Sequence, residues 1–376
     1  MANETRIKTV QCAVIGGGVI GLTLAFRLAQ RGFEVAIFDK RQVGQEASWA
    51  GAGILPPINQ RDPIHALDRL KQLSYQLHPK LSNELLELTG IDNEFQPCGG
   101  INLASTIGES AALSGSCELW TREKIQFKKL DHKSLVELEP QLNAFAETNF
   151  KNAIYFPEES QIRNPRHLKA LIAACKKLGV QFHQECKVNS LSAKNGLLEL
   201  QTDQHRHTVK NVCVTAGAWT TGLLKDIGSK SEVVPIKGHM LLFKLPSPCF
   251  SRVLNEGNRY LVPRKDGHVL VGSSEEETGF DKSLCESEVA NLKTFARGIL
   301  PILDDSKLVT TWTGLRPMSF DQIPYIGQHS EIENLFIATG HYRGGLQLST
   351  GTAHVLTQLI SGEPVEFELN ELRPER

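Results

Sequence analysis

Hydrophobic residues along this chain change their period several times, and each change marks an element. The unbroken apolar run "CAVI" (12–15) reads as a buried strand. Small residues follow it, then an amphipathic stretch that predicts a helix to about Arg31. A second run, "EVAIF", predicts a strand ending at Asp39. Leu67, Leu70, Leu73, Leu77, Leu81, Leu85 and Leu88 recur at helical spacing, so 65–89 reads as one long amphipathic helix. "GGINLA" then reads as a strand, while 109–145 is mixed and polar. A helix from Pro165 with a stop at Gly179, a strand "VQFH" and a further run "CKVNSL" restore the alternation.

"LLELQT" and "TVKNVCVTAGAW" predict antiparallel strands closing back on the first segment, with a turn at Gly217. From 233 to 316 the pattern is mostly strands: "VVPIKGHMLLFKL", "NRYLVPR", "HVLVGSS" and "LVTTWTGLRP". One helix, about 285–299, interrupts them, and the remainder of the chain returns to strand, turn and helix. Similar pieces at the start, middle and end, separated by strand-rich inserts, predict two interleaved domains. Residues 1–84, 152–225 and 322–376 form one; 85–151 and 226–321 form the other. A chain of 376 residues has room for both, since ordinary domains run to about 100–200 residues. No internal repeat, low-complexity tract or linker stands out.

The first turn carries candidate chemistry. Gly16-x-Gly18-x-x-Gly21 lies between the first strand and its helix, and Asp39 ends the next strand. In a dinucleotide-binding βαβ unit, Gly16 permits the tight turn and Gly18 lets the backbone approach a pyrophosphate. Gly21 allows close helix–strand packing. The helix N-terminus offers unpaired N–H groups and a partial positive charge. Asp39 is placed to accept hydrogen bonds from ribose hydroxyls. FAD and NAD both fit such a unit. The run "GQEASWAGAGIL" (44–55) is rich in small residues that would let backbone amides touch a large flat ring; on composition alone it also fits a flexible loop. A second glycine-rich strand-to-helix turn, "GHYRGGLQL" (340–348), places Arg343 among Gly340, Gly344 and Gly345.

Composition narrows the partners. With 41 basic against 42 acidic residues, the formal charge of −1 gives no electrostatic reason to expect nucleic acid or a membrane surface. The longest apolar stretches fall short of the ~20 residues a bilayer span needs, and "MANETRIKTVQ" lacks the apolar core of a secretory signal. Eight scattered cysteines without a C-x-x-C pair read as free thiols in a reducing cytoplasm, with no zinc or other metal site. "HRH" (205–207) reads as a solvated turn between two strands.

Together these stretches resemble the glycine oxidase branch of the D-amino-acid oxidase flavoenzymes, the branch serving thiamine thiazole synthesis. The resemblance runs from "AVIGGGVIG" through "EASWAGAGIL", "VTAGAW" and "YLVPRKDGHVLVG". It is strongest in "GLRPMSFDQIPYIG" (314–327) and "ATGHYRGGLQLSTGTAHVLTQLISGE" (338–363). It implies FAD rather than NAD, and an α/β (α+β) fold: a Rossmann-like FAD-binding domain interleaved with a mostly antiparallel β-sheet substrate domain. Position by position, it implies that Val19 and Ile20 join Gly16, Gly18 and Gly21 on the pyrophosphate turn, with Asp39 and Lys40 at the adenosine end. Ala47, Ser48, Ala52, Gly53 and Ile54 would line the ring and ribityl chain, and Val188 would hold adenine through its backbone. His341, Tyr342, Gly344, Gly345, Leu346 and Gln347 would wrap the far side of the flavin. The family's carboxylate clamp falls on Arg316 and Arg343, with Tyr260 adding a phenol hydroxyl. Two arginines in structural ion pairs are the alternative. "WTGLRPM" lacks the cysteine through which some members of the wider sarcosine-oxidase group attach flavin, so noncovalent FAD is expected.

The implied reaction is hydride transfer from Cα of a small amino acid to flavin N5, with the substrate held as carboxylate plus neutral amine. The imine would give a keto acid (glyoxylate from glycine) and ammonia, or pass to a thiazole synthase, and O₂ would yield H₂O₂. No His or Glu stands out as an essential base; His239 and His341 read as structural, and Lys237 as a support of the fold. Asn258 stands where a related glycine oxidase has histidine, which leaves the electron acceptor open. A homo-oligomer is expected. Two other readings remain: a D-amino-acid or secondary-amine dehydrogenase using a quinone, and a flavin-binding subunit without turnover of its own. A flavin domain acting on modified tRNA is disfavoured by the neutral charge.

Overall fold

The computed structural model describes residues 10–376; the first nine, which include most of the segment read as lacking a leader core, lie outside the described residues. Cys12–Ile15 is central in a six-stranded sheet ordered Tyr325–Gln328, Leu335–Thr339, Asn211–Val214, Cys12–Ile15, Val35–Phe38 and Gln181–His183. All neighbours run parallel except the edge strand Tyr325–Gln328. Alternate residues feed different cores. Cys12, Val14 and Ile37 pack among the helices Val19–Gln30 and Asn164–Lys177. Ala13, Ile15, Ala36 and Phe38 pack against the antiparallel meander Val188–Lys194, Leu197–Thr202 and Arg206–Val209. A strand covered on both faces needs apolar residues at every position, which is why these runs are unbroken.

The second sheet has eight strands, ordered Lys307–Ser319, Val233–Lys244, His268–Gly272, Arg259–Pro263, Val253–Glu256, Gly100–Ala104, Asn152–Phe156 and Lys128–Leu130. Only the pair Val253–Glu256 and Gly100–Ala104 is parallel. Leu241, Val271 and Leu254 face the helix Glu286–Ile299 through Leu292 and Phe295. Met240, Val262 and Leu270 point the other way, toward Ala52. One face of this sheet is thus its own core, and the other is a wall presented to the first domain.

Four local features depart from the sequence expectation. Asn211–Val214 runs parallel beside Cys12–Ile15 instead of continuing the antiparallel meander, which ends at Val209. Asn152–Phe156, grouped from sequence with the nucleotide-binding segments, pairs with Gly100–Ala104 in the eight-stranded sheet. The polar stretch after 106 contains the helix Ile107–Arg122, opened by a capping box between Thr106 and Glu109. Only Cys117 on that helix is buried, so no apolar period announces it. Finally, Arg206 and His207 of "HRH" lie in the strand Arg206–Val209, while His205 stays outside it. The His207 ring meets Phe38 edge-on at 4.9 Å, while His183 stacks on Phe38 at 4.5 Å. Among the described residues, no helix is long and apolar enough to cross a membrane, and no cluster of side chains could hold a metal ion.

Candidate active site

The two sheets meet along a cavity of about 700 Å³, within the ordinary range of ligand sites. One end is built by the turn after Cys12–Ile15. Gly16 has φ 105°, and a Cβ there would run into the Thr215 backbone. Gly18, Val19 and Ile20 line the cavity. Gly21 does not; a Cβ on it would overlap the Gly16 carbonyl oxygen and push the helix off the strand. The Val19 N–H donates to Ser48 Oγ at 2.9 Å, so the small-residue run is tied to the helix N-terminus. Asp39 accepts from the N–H groups of Gly17 at 2.8 Å and Arg41 at 2.9 Å, and burial raises its pKa despite these bonds. The Lys40 ammonium lies 3.4 Å from the Trp219 ring centroid. Burial, then repulsion from Arg41, lowers its pKa to about 8. Val188 lines this same end, beside Cys186.

The middle of the cavity is walled by Ala47, Ser48, Ala52, Gly53 and Ile54. Gly53, at φ 81°, passes so close to Ile162 that a Cβ would overlap its carbonyl oxygen. Asn164, which the sequence did not single out, donates to the Ser48 carbonyl at 2.7 Å. Its Oδ1 is buried in the cavity wall without a partner. Arg264 is 6% exposed and donates to the Ala52 carbonyl and to Gln161 Oε1, each at 2.7 Å. It has no carboxylate partner among the described residues, and burial lowers its pKa to about 10. Glycines where a Cβ would collide, an unpaired buried acceptor and a long wall of small residues fit a large flat cofactor such as FAD. The holders would be the 16–20 turn and Asp39 at the nucleotide end and the 47–54 wall at the ring.

The far end is built by charged and aromatic side chains. Arg316 crosses Gly238, where a Cβ would strike its guanidinium. Its Nη1 donates to the Ser274 carbonyl at 3.2 Å and its Nη2 to Ser273 Oγ at 2.6 Å. Both partners are neutral. Tyr260 pairs across the sheet with Gly272, next to Ser273. Its hydroxyl meets only Met240 Sδ, at 3.4 Å, a weak acceptor that leaves the phenol available to a ligand.

Arg343 lines the cavity but is already engaged. Its Nε and Nη2 each lie 2.8 Å from Glu275 Oε1. The Tyr342 hydroxyl donates to the same oxygen, and Asn258 Nδ2 donates to Oε2 at 3.3 Å. The expected pair of free arginines is therefore one guanidinium on neutral oxygens and one that an acid has neutralised. Burial pushes the Glu275 carboxyl up, but its bonds to Tyr342 and Arg343 outweigh this and hold it below its usual range. Tyr342 has φ 47°, a left-handed backbone uncommon for a bulky side chain. Gly344, Gly345, Leu346 and Gln347 complete the wall where the helix Gly345–Ser361 begins.

The histidines serve the framework. His341 lines the cavity, with Nε2 3.0 Å from Thr352 Oγ1, and burial lowers its pKa to about 3. His239 accepts from the Cys285 N–H at 2.8 Å and bonds Ser274 Oγ through Nδ1 at 2.8 Å, bracing the segment that holds Arg316. Lys237 is buried 3.6 Å from Glu276 and 3.7 Å from Asp281.

A nucleotide cradle opening onto an arginine-walled end belongs to flavin-dependent oxidoreductases. The chain matches the FAD dependent oxidoreductase (DAO) family over residues 11–359 and is a member of it. It is 35% identical to the glycine oxidase of Pseudomonas putida, over 94% of this chain and 96% of that protein. The crystal structure of glycine oxidase from Geobacillus kaustophilus superposes with a TM-score of 0.92 at 31% identity, covering 97% of this chain and 98% of that one. The bifunctional protein ThiO/ThiG of Trichormus variabilis is 29% identical over 94% of this chain, a match that spans 53% of that longer protein.

Proposed function

We propose that the protein oxidises glycine to its imine, which hydrolyses to glyoxylate and ammonia. The observation that carries this is the Arg316 guanidinium, which reaches the cavity with only neutral oxygens as partners. A guanidinium so placed takes a carboxylate through two parallel N–H bonds, which fixes orientation as well as charge. Tyr260 adds a hydroxyl to the same anion. FAD, when bound, supplies the two-electron acceptor. His341 and His239 are both committed to the framework, so the substrate amine must arrive neutral. The two glycine oxidases above support glycine as substrate; sarcosine and small D-amino acids satisfy the same grip.

Cys186 is the one cysteine on the cavity wall and lies at the Val188 end, which supports noncovalent FAD. The ThiO/ThiG relative supports delivery of the product to a thiazole-forming partner. Free thiols throughout, including Cys12 and Cys213 with sulfurs 3.7 Å apart, support a reducing, cytoplasmic setting. A homo-oligomer completes this reading. Anaerobic mixing of the yellow holoenzyme with glycine, sarcosine and D-alanine tests it, with glycine expected to bleach the flavin's visible band. A band that none of the three bleaches overturns it. Asn258, tied to Glu275, favours a second reading in which electrons pass to an acceptor other than oxygen. Peroxide yield compared with dye reduction separates the two.

A further inference from the structure

Glu275 gathers three residues of the cavity wall without lining the cavity itself: Tyr342, Arg343 and Asn258. This arrangement sets the charge of the substrate end. Arg259 is paired with Glu256 at 3.0 Å, and Arg343 with Glu275 at 2.8 Å. Arg316 alone of these three arginines has no carboxylate partner among the described residues. The end therefore offers one uncompensated positive charge, which matches a ligand bearing one carboxylate. A second carboxylate would have to displace Glu275 from Arg343, or lie beside it as a like charge in a partly desolvated space. Both are costly, and an introduced repulsion is a common source of discrimination.

We propose that Glu275 is a specificity-determining positioning residue that restricts the site to amines carrying a single carboxylate, by keeping Arg343 engaged. The inference rests on the amino-acid oxidase reading above and goes beyond it in assigning substrate charge selection to a residue behind the cavity wall. Replacing the acid by its amide keeps an acceptor for Tyr342 and Arg343 but removes the charge, so Arg343 becomes available to a second anion.

The test uses the wild-type holoenzyme, Glu275→Gln, and the double variant Glu275→Gln with Arg343→Gln. Anaerobic flavin reduction is measured with glycine and with iminodiacetate, and acetate and malonate are titrated by their perturbation of the flavin spectrum. Glu275→Gln should raise the iminodiacetate-to-glycine ratio of kcat/KM by about tenfold or more, and tighten malonate relative to acetate by a similar factor. The double variant should lose both gains. Glu275→Ala is prepared alongside and should shift the ratios in the same direction if the amide variant folds poorly. Unchanged ratios in a flavin-loaded Glu275 variant overturn the proposal, as does a gain that survives loss of Arg343. A holoenzyme that shows the expected acetate and malonate shifts but is not reduced by glycine overturns the glycine reading and leaves the charge selection standing.

Discussion

The two ends of the cavity are held by different physics. At the nucleotide end, backbone does the work: Gly16 and Gly21 pass where a Cβ would overlap a carbonyl, as Gly53 does in the adjoining wall, and single hydrogen bonds from Val19 to Ser48 and from Gly17 to Asp39 lock the turn. At the substrate end, side chains from distant segments meet. Arg316, Glu275, Tyr342 and Tyr260 come from separate elements or the loops between them, and charge balance decides which of them faces a ligand. The first kind of construction tolerates almost no added atom. The second tolerates shape change but not charge change.

The sharpest way to break that contrast is Gly21→Val. Overlap with backbone cannot be relieved by a rotamer, so the protein should purify without flavin, as its visible spectrum would report. A yellow Gly21→Val protein would mean the turn is looser than its contacts require. Arg316→Ala is the counterpart at the other end. It should cost glycine turnover about a thousandfold in kcat/KM, on the order of 4 kcal/mol, with the flavin retained. Loss of flavin instead would make Arg316 part of the cradle.

Next in size is an opposite response to pH in the two halves. In the cofactor half, burial lowers His78 to about 4 and His167 and His341 to about 3, from an ordinary value of 6.5. Stability from these neutral rings is complete above pH 6.5 and is lost as pH falls through 4 to 3. In the substrate half, Glu159 is buried under Gly100 with one amide donor, Asn255 Nδ2 at 3.1 Å, and burial raises it from 4.5 to about 7. A raised acid acts the other way: its contribution is complete below pH 4.5 and is lost as pH rises through 7. Glu159→Gln should therefore gain about 3 kcal/mol on the wild type between those limits, read as unfolding free energy at each pH. Parallel curves would show that Glu159 ionises without cost. The smallest effect expected is that of Ser48→Ala. Removing the acceptor of the Val19 N–H should weaken FAD binding by about five- to tenfold, or ~1 kcal/mol, without loss of glycine specificity.

The same contrast explains what could be read from the chain beforehand. Glycine spacing, unbroken strands and the acid at Asp39 are local, so Cys12–Asp39 was legible from its own residues. Arg316 and Tyr260 carry no local signal; they were reached through the family resemblance. Glu275 was missed because "SSEEE" looks like a solvated acidic turn, and its pairing with Arg343 spans 68 positions. Asn164 carried no signal because the helix was read from Pro165, and the structure opens it one residue earlier. The helix Ile107–Arg122 escaped for a simpler reason, since a helix that buries one residue leaves no stripe.

Arg264 has a consequence for redox poise. Its guanidinium sits behind the wall of small residues, bonded to the Ala52 carbonyl, in a region where its field is poorly screened. Any aromatic guest resting on that wall meets a standing positive potential. Accepting an electron pair there is easier than in water, and giving it up is harder. A flavin held against that wall would have its midpoint potential displaced upward before substrate arrives.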